Sequence, residues 1–218
     1  MNQKNKERCR LVLIAPPGES GPAFAARLEA ALAGGDVASV ILPVHDLDES
    51  AYQKHLEACV AVAQAHDVAA IAVDDTRALG RVQADGLHVD SGPRDLADAV
   101  ERFQERYIVG AGGADTRHRA LELGEARPDY MFFGRFGFDT HPGPHKRNIA
   151  LAEWWAGMIE IPCIVMGGNA LETLGEAAET GAEFVALSRA IFGEGTDPAE
   201  AVRQANRILA DYKLTEDA

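Results

Sequence analysis

The chain has 218 residues, 47% of them hydrophobic and 25% charged, with a formal net charge of −13. That length is enough to bury one full core, and the acidity disfavours nucleic acid or an anionic membrane surface as partner, since both call for a basic face. A small phosphorylated metabolite remains open as partner, because a few local donors hold a phosphate inside an acidic protein.

The first apolar run, LVLIA (11–15), ends at Pro16-Pro17. The charged stretch before it and the short run itself do not make a signal peptide. A second run, VASVIL (37–42), leads to Pro43–Asp46. In 51–66, Tyr52, Leu56, Cys59, Val60 and Ala63 share a helical face. VAAIAV (68–73) closes on Asp74-Asp75-Thr76, and DGLHV (85–89) on Asp90–Pro93. His88, inside that fourth run, reads as a core histidine.

YIVGA (107–111) precedes Gly112-Gly113, and DYMFFG (129–134) opens the long loop GRFGFDTHPGPHKRN. Of the adjacent Trp154-Trp155 in the next helix, one should pack on the barrel while the other is partly exposed or at an interface. IPCIVMG (161–167) runs into Gly168-Asn169, and EFVALS (183–188) into Arg189. Pro198 opens a last helix with Ala199, Val202, Ala205, Ile208 and Leu209 inward, and KLTEDA reads as a frayed tail.

Continuous apolar runs without alternation suit strands buried on both faces of a parallel sheet. Eight strand–helix units of roughly 25 residues predict a single-domain (β/α)8 TIM barrel over about residues 10–212, with short flexible termini. A doubly wound open sheet usually has fewer strands. No apolar stretch approaches the ~18 residues of a membrane helix. Cys9, Cys59 and Cys163 read as reduced, buried thiols, and the expected location is cytoplasmic.

In such a barrel the chemistry gathers where strands end. Gly167-Gly168 lets backbone approach a ligand, Asn169 is placed to cap the following helix, and Ser188 and Arg189 add a hydroxyl, an N–H and a guanidinium. The group reads as a phosphate or pyrophosphate pocket; the alternative is a tight turn. Only one of Asp74 and Asp75 should face the mouth, where Mg²⁺ with a diphosphate wants one or two carboxylates. The other reading makes both helix-capping acids. Arg135, Asp139, His141, His145, Lys146 and Arg147 crowd the sixth loop, which reads as a lid over an anion or as a surface loop with incidental charges. Its two histidines lack the helical face that would bring them to one metal.

The segments VDDTRALGRVQADGLHV, DYMFFG and IPCIVMGGNALETLGEAAETGAEFVALSRAIF resemble the thiamine-phosphate synthase and thiazole tautomerase superfamily over most of residues 10–205. The resemblance implies a transferase of thiamine biosynthesis that joins an aminopyrimidine diphosphate to a thiazole phosphate, releasing pyrophosphate with Mg²⁺ bound. It implies metal binding by Asp75, with Asp74 where Asn is usual. Phosphate binding falls to Gly167, Gly168, Asn169, Ser188, Arg189 and Arg147, and a catalytic role to Asp75 and Lys146. Several of the family's other positions differ. Pro93 stands for the second metal carboxylate, leaving Asp90 or Asp95 to replace it, and Asp90 is the one at the strand's mouth. Ile41-Leu42-Pro43-Val44-His45 replaces Gln-x-Arg-x-Lys, Gly112 a serine, Asp139-Thr140-His141-Pro142 a Thr-x-Thr-Lys, and Arg135 the tautomerase histidine. Two alternatives follow: a non-catalytic binder or sensor of a phosphorylated thiazole or related metabolite, and a tautomerase-like isomerase. A homodimer is the expected assembly.

Overall fold

The computed structural model describes residues 8–212; the tail KLTEDA lies outside the described residues. Eight parallel strands close a barrel in chain order. They are β1 (Arg10–Ile14), β2 (Ser39–Leu42), β3 (Ala69–Val73), β4 (Gly86–Val89), β5 (Ile108–Ala111), β6 (Tyr130–Phe133), β7 (Cys163–Met166) and β8 (Phe184–Leu187). β8 returns to β1 in register, Leu11 opposite Val185 and Leu13 opposite Leu187. The single (β/α)8 barrel is therefore the architecture, and each strand occupies four or five residues of its apolar run.

The runs do not alternate because both faces are buried. Val12, Ile14, Ile41, Ile71, Val73, Tyr130, Phe132, Ile164, Met166 and Ala186 form an inner cluster. Their neighbours, such as Leu11, Leu13, Leu42 and Phe133, pack outward on the helices. Gly110 matters here: a Cβ on it would fall inside the Tyr130 ring. The missing side chain lets the tyrosine lie against β5 within the barrel.

The outer layer comprises α1 (Gly21–Leu32), α2 (Glu49–Ala65), α3 (Ala78–Arg81), α4 (Pro93–Phe103), α5 (Arg117–Gly124), α6 (Lys146–Ala156), α7 (Leu174–Ala178), α8 (Arg189–Phe192) and α9 (Pro198–Leu209). α2 buries Tyr52, Leu56, Cys59, Val60 and Ala63, as their spacing predicts, together with His55. In α9 the structure buries Ala201 where Ala199 was expected, and leaves Ala199 and Ile208 half-buried. Trp155 is fully buried and donates to Ile161 O at 2.8 Å, while half-buried Trp154 carries the Arg117 guanidinium on its ring. The three cysteines are unpaired and buried, and burial pushes the Cys9 and Cys59 thiols up to about 12. Among the described residues no helix is long and apolar enough to cross a membrane.

Candidate active site

The carboxyl ends of the strands form the barrel mouth. At the end of β3 the two acids part. Asp74 adopts a left-handed backbone (φ 49), and its Oδ1 accepts from Asp90 N at 3.0 Å and from Ser91 Oγ at 3.2 Å. Asp75 accepts from Arg77 N at 3.0 Å and pairs with Arg77 Nε at 3.1 Å, while Arg77 reaches on to Glu49 of α2. Asp74 is thus the acid turned toward β4, and Asp75 organises the turn into α3. Asp90 sits beside Asp74; burial and then that neighbouring charge push its carboxyl up, with Arg135 opposing. Asp95 is exposed in the first turn of α4, which Pro93 opens.

Below them, His88 is fully buried inside the barrel. Its Nδ1 lies 2.9 Å from the Tyr130 hydroxyl, and burial drives the imidazole down to about 3, so the ring is neutral. Its Nε2 has no partner among the described residues. A Cβ on Gly112 would come within 2.5 Å of that nitrogen and 2.7 Å of Asp90 Oδ1. The glycine therefore fits between the histidine and the acid where no larger residue could. Phe136, two residues beyond Gly134, stacks on Phe132 (5.1 Å, 12°) and meets His88 edge-on, so the start of the sixth loop roofs the histidine. His45, after β2, is held at Ala15 O (2.9 Å).

Beyond β7 and β8 the sixth loop lies on Asn169, Ala170 and Arg189. Asn169 N donates to His141 O at 2.9 Å, Ala170 N to Pro142 O at 3.3 Å, and Thr173 Oγ1 to Pro142 O at 2.7 Å. Asn169 does not cap a helix. Ala170 precedes a short 3-10 turn (Leu171–Thr173) before α7, because the loop's carbonyls already take the N–H groups there. Gly168 has no room for a side chain against Pro142 and Gly143. Arg189 N donates to Asp139 Oδ2 at 2.7 Å, and Arg189 Nε lies 3.6 Å from Asp139 Oδ1. Burial pushes the Asp139 carboxyl up, and the Arg189 N–H and guanidinium oppose the shift.

Two cavities flank this contact. One, about 570 Å³, is lined by Arg135, Asp139, His141, Lys146, Arg147 and Gly167. The other, about 750 Å³, is lined by Arg27, Asn169, Arg189 and Thr196, among others. Lys146 and Arg147 are exposed at the start of α6, where His145 Nδ1 accepts from Arg147 N at 3.2 Å. Arg135 stacks on Phe138 at 3.9 Å. Sequence reasoning took Asp139 for one charge among several and did not anticipate its burial or Phe136's place on the roof. A lone acid within a basic loop was the available signal.

Fold and site together define a (β/α)8 barrel with a buried acid–arginine contact beyond its last two strands and an acidic pair at the mouth. The pattern of the family described as thiamine monophosphate synthase matches residues 11–191. A thiamine-phosphate synthase of Rhodospirillum centenum is 36% identical over 203 residues, covering 92% of this chain and 98% of that protein. Its counterpart in Erythrobacter litoralis is 32% identical over 207 residues, covering 92% and 96%. Among solved structures, a thiamine phosphate pyrophosphorylase from Pyrococcus furiosus superposes with a TM-score of 0.76 at 20% identity, covering 97% of this chain and 99% of that one. The chain belongs to the thiamine-phosphate synthase family.

Proposed function

We propose that the protein is a transferase of its family's type, joining an aminopyrimidine diphosphate, or a close phosphorylated heterocycle, to a thiazole phosphate with release of pyrophosphate. The observation that supports it is that Arg189, at the end of β8, sets its N–H and guanidinium on one buried acidic group, Asp139, with Gly167 of the β7 end lining the same cavity. A rim that holds a carboxylate there has the donors for a phosphate oxygen.

In the reaction the pyrimidine's carbon–oxygen bond to diphosphate breaks and a carbon–nitrogen bond to the thiazole forms. Charge collects on the leaving oxygens, and positioned cations lower that barrier. Lys146 and Arg147, with Arg135, are cations that line the cavity. Phe136 excludes water from the ring-binding space above His88. Asp74 and Asp90 would hold a Mg²⁺ ion: burial and then the Asp74 charge push the Asp90 carboxyl up, and a cation would relieve the second of these. With Mg²⁺ bound there, and Asp75 joining on release of Arg77, the ion would supply charge neutralisation to the diphosphate.

The second reading is a non-catalytic binder of a phosphorylated thiazole. Asp75's engagement with Arg77 and the closed sixth loop favour it. The reading in either form takes a small phosphorylated ligand in the cytoplasm and a homodimer, the last checked by light scattering. Pyrophosphate release on mixing the pyrimidine diphosphate, thiazole phosphate and Mg²⁺ tests the transferase. Thiazole-phosphate binding by calorimetry without release leaves the binder, and absence of both defeats the two.

A further inference from the structure

The Asp139 carboxylate is an ill-fitting occupant of the place it holds. Its side chain is 1% exposed, and one oxygen takes the Arg189 N–H. Its other oxygen, the Arg189 Nε and the Ser188 Oγ are all buried without a hydrogen-bond partner among the described residues. Buried polar groups left unpaired are costly, and native proteins keep few of them. Three sit together here. A planar carboxylate tethered to a loop satisfies one donor of this set. A phosphate, with three or more acceptor oxygens arranged tetrahedrally, has acceptors for the N–H, the guanidinium and the hydroxyl together.

The loop that delivers Asp139 repeats the substitution in its backbone. His141 O and Pro142 O take the N–H groups of Asn169 and Ala170, donors a ligand would otherwise meet just after Gly167-Gly168. The way out is also built. Asp139 already lines the cavity of about 570 Å³ whose other walls include Arg135, Lys146 and Arg147, so an expelled carboxylate finds cations within reach.

We propose that Asp139 is a resident competitor for a phosphate group. In the resting protein its carboxylate holds the place beside Ser188 and Arg189, and a phosphorylated ligand binds by displacing it together with residues 134–145. This rests on the reading of the β7 and β8 ends as an anion subsite. Asp139 then sets the threshold of that subsite: only a ligand that satisfies more donors than the carboxylate does gains entry.

The test titrates inorganic phosphate into the full chain and follows the Arg189 amide by nitrogen-15 NMR. Asp139→Asn keeps an acceptor for Arg189 N and the shape of the side chain, and Asp139→Ala removes both. Removing a negative charge so close to the incoming anion is expected to tighten phosphate binding at least about tenfold in Asp139→Asn. The gain should disappear when Arg189→Ala is added. Equal affinity in wild type and both variants, with the Arg189 amide shifting in each, would show that phosphate joins without evicting Asp139; the competitor is then wrong and the anion subsite stands. No shift of Arg189 in any form, Asp139→Asn included, overturns the subsite reading and the competitor with it.

Discussion

His88 Nδ1 lies 2.9 Å from the Tyr130 hydroxyl, two polar groups facing each other inside a closed apolar barrel. Burial drives the imidazole from its ordinary 6.5 down to about 3. The unfolded chain therefore takes a proton near pH 6.5 that the folded chain refuses until about pH 3. Stability from this group is full above pH 6.5 and is lost as pH falls toward 3, by at most about 5 kcal/mol. His55, pushed down to about 4 chiefly by burial, acts with the same sign. Asp90 and Asp139, both pushed up, act in the opposite sense, gaining stability as they become protonated. Denaturant titrations of wild type and His88→Phe between pH 7 and 4 separate these. The variant should be less stable at pH 7 by about 1–3 kcal/mol, since the Tyr130 hydroxyl loses its partner. Its stability should also fall less steeply with acid. An unchanged slope would move the acid sensitivity elsewhere.

Gly112 follows β5 at the barrel mouth, and the barrel interior has closed around it. A Cβ there would meet His88 Nε2 at 2.5 Å and Asp90 Oδ1 at 2.7 Å, tighter than van der Waals contact allows. Gly112→Ala should cost about 1–3 kcal/mol of stability by overpacking. Gly113→Ala carries a different penalty, from its positive φ of 78. A denaturation midpoint for Gly112→Ala equal to wild type would show that His88 or Asp90 moves freely aside.

The barrel was legible because parallel strands buried on both faces write unbroken apolar runs, as in VAAIAV and IPCIVMG. The site was legible only to the rim. That Gly167, Ser188 and Arg189 meet follows from strand order, once β7 and β8 are neighbours. Which acid turns inward at Asp74-Asp75 does not follow. It depends on the left-handed φ of Asp74 and on Arg77 being free to take Asp75. Asp139 meets Arg189 across 50 residues of chain, through a loop whose path no local pattern encodes.

Trp154 and Trp155 offer a paired test of core against surface. Trp155 is fully buried, packs edge-on to Phe133 and donates to Ile161 O. Trp155→Phe loses that hydrogen bond and leaves a void, and should cost about 2–4 kcal/mol. Trp154 contributes a half-buried ring under Arg117, so Trp154→Phe should cost less than about 1 kcal/mol. Thermal unfolding of the two variants side by side checks the order. Equal losses would place both rings in the core.

The acids at the mouth give the sharpest division between neighbouring residues. Asp74 and Asp90 are a facing pair only through the backbone, Asp74 accepting from the Asp90 N–H, whereas Asp75 is committed to Arg77, a half-exposed partner. Losing the Asp75 ion pair alone should change stability little, as solvent screens so exposed a partner. If Mg²⁺ is held by the facing pair, Asp90→Asn should lower Mg²⁺-dependent pyrophosphate release by roughly 10². Asp75→Asn should lower it by less than about tenfold, since its carboxylate must first leave Arg77 to contribute. The two variants also differ without any turnover. Asp90→Asn removes a carboxylate whose charged form burial and then Asp74 disfavour, so it should raise the chain's stability at neutral pH, while Asp75→Asn should not. Asp75→Asn abolishing release while Asp90→Asn retains it would reverse the assignment, and would mean that the Arg77 contact breaks before the ion binds.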